Sequence, residues 1–343
     1  MKPNVFLGAT IEGIKAEGDF DASDQIDKFH YFTNEPSEIA KRLESAPSGF
    51  RKSFGETNYN SLLNFDAAVF CPIDVETDSL LNKLLEKLPP HSLVEAFHYR
   101  LIAFVQFLWL VKDSDAYIRH VLCITPKSVK FFNSITSFTS HKGEIGSVTF
   151  SRDEIKKTMR VLDNYRTKVE NEKLLKPKEL KRTGGFPTAF SADQSRLAKA
   201  LLVLQVVRES KDLALKISHY CACFEILFLT KTDDGGITHL LAERMAFFLS
   251  SSHTDRTAVY EDVREAYRIR CGIFHGRFLG PERQERLERI SSRCDDFLRE
   301  TLRRILTSQE FADLFADKEK PFDNYFRDLM FGAFPSTVGA TSL

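Results

Sequence analysis

Two regimes of hydrophobic patterning divide the chain. Up to Phe150 the apolar residues come in short runs broken by polar turns. FVQFLWLV, then KDSDA, then YIRHVLCI predicts two strands joined by a short turn, the first buried on both faces and the second more exposed. AAVFCPIDV and GSVTF predict further strands of the same sheet. A helix is expected to interrupt it at SLLNKLLEKL, where leucines recur three and four apart and the following PP dipeptide stops the run.

After Ser151 the apolar period lengthens to that of a helix. In SRDE, Ser151 can cap a helix while Glu154 reaches back to it, and Ile155, Met159, Leu162 and Val169 follow at helical spacing. The next stretch, LKPKELKRTGGFPTAF, carries prolines, paired glycines and basic residues, which predicts a linker. Ser191 and Gln194 form a second capping-box pattern ahead of RLAKALLVLQVV. Leu213, Ile217, Tyr220, Cys221, Phe224, Leu227 and Phe228 then make one apolar stripe. TKTDDGGIT reads as a turn, and Leu241, Met245, Phe248 and Leu249 resume the helical period. A fourth helix is expected over roughly 257–276. A fifth, after Pro281, points Leu287, Ile290, Cys294, Phe297 and Ile305 inward.

The fold class that follows is α+β. It comprises a strand-rich mixed domain of unassigned role over residues 1–150, a helix and basic linker over 151–190, an all-α bundle over 191–330, and a flexible tail over 331–343.

Charge and cysteine usage narrow the function classes. The 48 basic and 48 acidic residues cancel, so no global field recommends nucleic acid or a membrane surface, and any such surface must be local. Six scattered cysteines without a CxxC pair suit reduced thiols and a cytoplasmic location. MKPNVFLGAT lacks the apolar core and cleavage site of a signal peptide, and the longest apolar run is too short to span a bilayer, so no membrane partner is expected.

Several tempting motifs fail on geometry. His219, Cys221 and Cys223 of HYCAC alternate sides of a helix and cannot converge on one metal, so buried thiols are the expectation. His239 and Glu243 share a face as a solvated pair, with no second histidine to complete a zinc-peptidase helix. No Walker or Rossmann phosphate loop and no GxSxG elbow occurs, which argues against an ATPase, a dehydrogenase and a serine hydrolase.

The stretch YRIRCGIFHGR, residues 267–277, carries the one constellation with chemistry in it. Arg270 and His275 are five apart, which on an ideal helix leaves them about 140° apart and about 7.5 Å along the axis. One helix alone therefore makes a poor site, whereas two copies packed about a two-fold axis would line one cleft with two arginines and two histidines. Gly272 weakens a helix interior by about 1 kcal/mol relative to Ala, which predicts that another backbone comes close there. From Arg256 to Arg304 there are twelve arginines and no lysine, against nine acidic residues, a bias that suits bidentate recognition of phosphate.

The order FEILFL, LAERMAFFL, YRIRCGIFHGR resembles the Apea-like branch of the HEPN superfamily (higher eukaryote and prokaryote nucleotide-binding domains) over roughly residues 191–306. Members of that family carry a short Leu-Glu-containing helix, an Ala-x-Arg helix, and then Arg-x4-6-His followed by Gly. The resemblance implies a dimerising helical bundle and, in many members, a metal-independent endoribonuclease, acting as a toxin-like or antiviral defence effector of the abortive-infection kind. By position, Arg270 takes the motif arginine and His275 the motif histidine, with Cys271, Gly272 and Gly276 supporting them and Arg268 and Arg277 as flanking RNA contacts. The residue after the arginine, usually Asn or Asp in the family, is Cys271 here. Arg277 stands where one branch has a modifiable tyrosine.

The implied chemistry needs no cofactor and no metal. The RNA 2′-OH attacks the adjacent phosphate, giving a 2′,3′-cyclic phosphate and a 5′-OH, with His275 moving protons and Arg270 holding the phosphate. The implied partners are RNA, a second copy of the chain through the helix bearing Arg270 and His275, and a protein or ligand trigger at the N-terminal domain. An alternative reading stays open: a non-catalytic bundle of the same type that binds RNA, a nucleotide or a protein.

Overall fold

The computed structural model describes residues 5–18, 20, 25, 30–44, 46, 49–73, 90–125, 128–134, 137–165, 195–231, 233, 235–276, 284–316 and 319–332. It divides into two compact units. Residues 5–165 with Arg208–Lys211 form the first, and residues 195–207 with 212–332 form the second. The architecture is mixed α+β, an antiparallel sheet followed by helices.

In the first unit, strands β1 (Val5–Glu12), β3 (Tyr31–Thr33), β4 (Ala67–Ile73), β5 (Tyr117–Ile124) and β6 (Val129–Asn133) form an antiparallel sheet in the order β3-β4-β1-β5-β6. A small parallel pair joins β2 (Ile14–Ala16) to β7 (Val148–Phe150). Central β1 is buried at seven successive positions, so both faces of the sheet are covered there and the two-residue alternation of a half-exposed strand is lost. One face packs Phe6, Leu122 and Ile124 against Ile39 and Leu43 of helix α1 (Pro36–Leu43) and Tyr59 and Leu62 of helix α3 (Glu56–Leu63); the five-residue helix α2 (Phe50–Phe54) lies between these in sequence. The strands expected from AAVFCPIDV and YIRHVLCI are present in this sheet, whereas GSVTF forms a strand that pairs with β2 outside it, a correction to its expected place.

FVQFLWLV corrects one expectation. It is the last two turns of helix α4 (Pro90–Val111) and not a strand. Phe104, Val105, Phe107, Leu108, Trp109 and Leu110 are all buried, because the helix lies against β5 and helix α5 (Arg152–Tyr165). A helix buried all round shows no polar stripe, so its period is invisible and the run reads equally well as a buried strand. The helix expected over residues 79–88 lies outside the described residues.

Helix α5 starts as its sequence predicts: Glu154 N–H donates to Ser151 Oγ at 3.3 Å, and Ser151 N–H donates back to Glu154 Oε2 at 2.9 Å. Ile155, Met159 and Leu162 are buried, whereas Val169 and the linker through residue 190 lie outside the described residues. Ser191 and Gln194 do too. Helix α6 (Arg196–Glu209) begins after Ser195, whose Oγ accepts from Ala198 N–H at 3.2 Å.

The second unit holds the expected series: α7 (Leu213–Phe228), α8 (Ile237–Leu249), α9 (His253–Phe274) and α10 (Gln284–Thr307), followed by α11 (Gln309–Leu314) and α12 (Glu319–Phe331). The whole predicted stripe of α7 is buried, as are Leu241, Met245, Phe248, Ile290, Cys294, Phe297 and Ile305. Leu249 and Leu287 are half-buried. Arg244 on α8 is buried because Phe228 O, Asp233 and Asp323 all meet its guanidinium. Among the described residues no helix is long and apolar enough to cross a membrane.

Candidate functional site

Helix α9 is started by Ser252, whose Oγ accepts from Asp255 N–H at 3.1 Å. Val259, Val263, Ala266 and Ile269 form its buried stripe, and Arg270 stands at the edge of that stripe, beside α7. Its Nη2–H donates to Glu225 on α7 at 3.4 Å, and its Nη1–H donates to Tyr267 Oη at 3.3 Å. The guanidinium carbon lies 4.9 Å from the Tyr267 ring centre and 5.4 Å from that of Phe274. These rings occupy positions i−3 and i+4 relative to Arg270, the spacing that brings side chains together on one helix face. Burial, with a hydrogen bond to Glu225 next in size, pushes the Tyr267 phenol up to about 12, so it stays protonated as a donor.

The helix ends just before the histidine. His275 is the C-cap, exposed, with its backbone N–H on Cys271 O at 3.1 Å. Gly276 follows at φ +66° and donates to Ile273 O at 2.9 Å. That left-handed turn is disfavoured by any Cβ, which explains the motif glycine as a helix terminator. His275 still closes the helical bond to Cys271 O, so its side chain leaves in nearly the helical direction and the roughly 140° separation from Arg270 carries through to it.

A Cβ built at Gly272 meets nothing within 4 Å among the described residues, so the close backbone approach expected of the glycine is not made within one copy. Gly272→Ala is expected to raise unfolding stability by about 1 kcal/mol through helix propensity alone, read by urea denaturation at low protein concentration. A loss of stability, or a loss of self-association by light scattering, would show instead that a second copy fills that space.

The arginine bias also takes a different meaning. Arg286 pairs with Glu265, and Arg289 (2.6 Å) and Arg293 (2.8 Å) share Asp262, so these arginines of α10 tie it to α9. Arg304 and Arg303 both reach Glu300, and Arg268 is exposed but paired with Glu265 at 3.0 Å. Guanidinium forks serve here to span carboxylates between and along helices, a geometry lysine does not match. Arg277 lies outside the described residues.

Cys271 is half-buried beside this site, while Cys221, Cys223 and Cys294 are buried with thiols held well above their usual range by desolvation. The reading of Cys221 and Cys223 as packed thiols agrees with this. His239 meets Tyr260 Oη at 2.7 Å, which gives the histidine a closer partner than the expected solvated contact with Glu243. A shallow cavity of about 260 Å³, lined by Asp255, Val259, Asp296, Phe297 and Glu300 among others, lies at the N-terminal end of α9, far from His275. In the first unit, His120 uses both ring nitrogens, at 3.0 Å from Ser61 Oγ and 2.7 Å from Asn133 Oδ1, as a buried imidazole requires.

Sequence reasoning assigned no role to Glu225, Tyr267 or Phe274. The aromatic pair was readable from its spacing around Arg270; Glu225 showed only as a charge inside the apolar FEILFL. No protein-family model, curated protein or solved structure matches the chain.

Proposed function

We propose that the helical unit is a HEPN-type endoribonuclease that cuts RNA without a metal, in a symmetric dimer formed through α9. The observation that carries the reading is a restrained guanidinium five residues before an exposed imidazole at the end of the same helix. Arg270 is held by Glu225, Tyr267 and Phe274, and His275 stands open at the helix end. A guanidinium already oriented loses little entropy on gripping a phosphate, and histidine is the side chain whose chemistry suits proton transfer at neutral pH.

In the dimer, one His275 takes the 2′-OH proton and the other donates to the departing 5′ oxygen, while Arg270 stabilises the charge that builds on the phosphorane. The first unit would carry the trigger-sensing role, and the physiological setting would be defence by RNA destruction. A second reading, a bundle of the same type that binds without cutting, is favoured by one contact: the Glu225 carboxylate partly neutralises Arg270.

The chemistry of the ends tests the proposal. Purified protein incubated with RNA in EDTA should yield fragments with 2′,3′-cyclic phosphate and 5′-OH termini by mass spectrometry, and DNA of the same sequence should stay intact. Cleavage that appears only when magnesium is added, or 5′-phosphate ends, would defeat it.

A further inference from the structure

The exposed apolar residues of a protein are usually scattered and uninformative, but Phe274 is not placed at random. The residue is 69% exposed at the last helical position of α9. Its ring centre lies 5.4 Å from the guanidinium carbon of Arg270, and the next residue is the exposed His275. A flat π face and a planar cation therefore lie together at one helix end, and a proton-transfer group follows as the next residue in the chain.

We infer that Phe274 is a stacking platform for an unpaired nucleobase adjacent to the phosphate held by Arg270, so that the substrate class is single-stranded RNA. The inference rests on the ribonuclease reading and adds the base-recognition element that it lacks. Arg270 and His275 address the phosphate and the 2′-OH, which every ribonucleotide shares, and neither offers a contact to a base. An exposed aromatic ring does. In a duplex the base faces are covered by their neighbours, whereas a looped or single-stranded base can leave the stack and lie on the ring.

The stack is already half built. Tyr267, Arg270 and Phe274 alternate ring, guanidinium and ring, so the Phe274 ring has one cation neighbour within the protein and most of its surface open to solvent. A cation beside the ring strengthens its attraction for an electron-rich base, and the same guanidinium can meet the phosphate that follows. Stacking accepts any base, since each has a π face, so the platform selects for strandedness and only weakly for sequence. It also frees the sugar–phosphate from duplex geometry, which the in-line attack of the 2′-OH requires.

Titration of a fluorescent 12-nucleotide single-stranded RNA in EDTA tests the inference, with His275→Ala as the common background so that nothing is cut. Phe274→Leu keeps the apolar bulk and removes the π face; Phe274→Trp restores it. We expect the single strand to bind more tightly than its duplex, Phe274→Leu to weaken single-strand binding by roughly 5- to 150-fold with little change for duplex, and Phe274→Trp to recover it. Equal binding by Phe274→Leu and Phe274, or no single-strand binding at all, overturns the platform. So does conversion of a dimer to a monomer by Phe274→Ala in light scattering, which would make a second copy the occupant of the ring.

The two ideas fail separately. Ring-dependent binding by a wild-type protein that never cuts RNA removes the catalytic reading and leaves the platform. RNA cleavage at unchanged rate and strand preference in Phe274→Leu does the reverse.

Discussion

His275→Ala is expected to reduce RNA cleavage by about 10²- to 10⁴-fold, the range lost when a general acid–base group is removed. The substitution is a clean one. The imidazole is exposed at the C-cap of α9, and the contact that the residue makes in closing the helix, to Cys271 O, comes from its backbone and survives in alanine. Stability should therefore change by no more than about 0.5 kcal/mol. Arg270 requires a more careful comparison. Arg270→Ala would leave the partly buried Glu225 carboxylate without its cation, so lost activity there mixes chemistry with local disorder. Arg270→Lys keeps a charge for Glu225 but not the planar fork, and cleavage by it should still fall well below wild type if bidentate phosphate contact is the role. The measurement is the initial rate of fragment formation from a labelled RNA, with circular dichroism to establish that each variant is folded. Wild-type rates in His275→Ala would end the catalytic reading and leave the bundle as a binding module.

The largest effect on stability is expected at Phe228. Its side chain has no solvent exposure, and its ring lies 5.5 Å from that of Phe248, 5.7 Å from Phe315 and 6.0 Å from Phe326, all edge-on. Residues from three other segments of the second unit thus meet on one ring, including one from helix α12. Phe228→Ala should cost about 3–5 kcal/mol, from lost transfer energy together with a cavity that rigid aromatic neighbours cannot close. The neighbouring Phe228 carbonyl accepts from Arg244 Nη1 at 2.7 Å, so collapse of the cluster would also disturb the guanidinium held by Asp233 and Asp323. Urea denaturation followed by far-ultraviolet circular dichroism gives the number. A loss below about 1 kcal/mol would mean that the cluster repacks and that α12 is held chiefly by the Arg244 pairs.

How legible the molecule was depended on how one-sided each element's environment is. Helices α7 and α10 advertise themselves: Ile217, Phe224 and Phe228 on the one, Ile290, Cys294 and Ile305 on the other, lie on stripes that a period of 3.6 reveals. The capping box of α5 was equally local, two side chains and two backbone amides within four residues. Helix α4 was misread because Phe107, Leu108 and Trp109 are all buried, and a segment covered on every side leaves no polar positions to count.

At the candidate site the division is sharper. The residues able to do chemistry, Arg270 and His275, and the glycine that ends their helix, were set by the sequence itself, because motif spacing and the left-handed turn at Gly276 are short-range properties. The tertiary structure decided the rest. It brought Glu225 from α7 onto Arg270 across 45 residues of chain, left the space beside Gly272 open, and paired most of the described arginines with carboxylates on their own or a neighbouring helix. Pairings of that kind depend on which helix faces meet, and a helix face carries its own period in the sequence but not the identity of the face it will pack against.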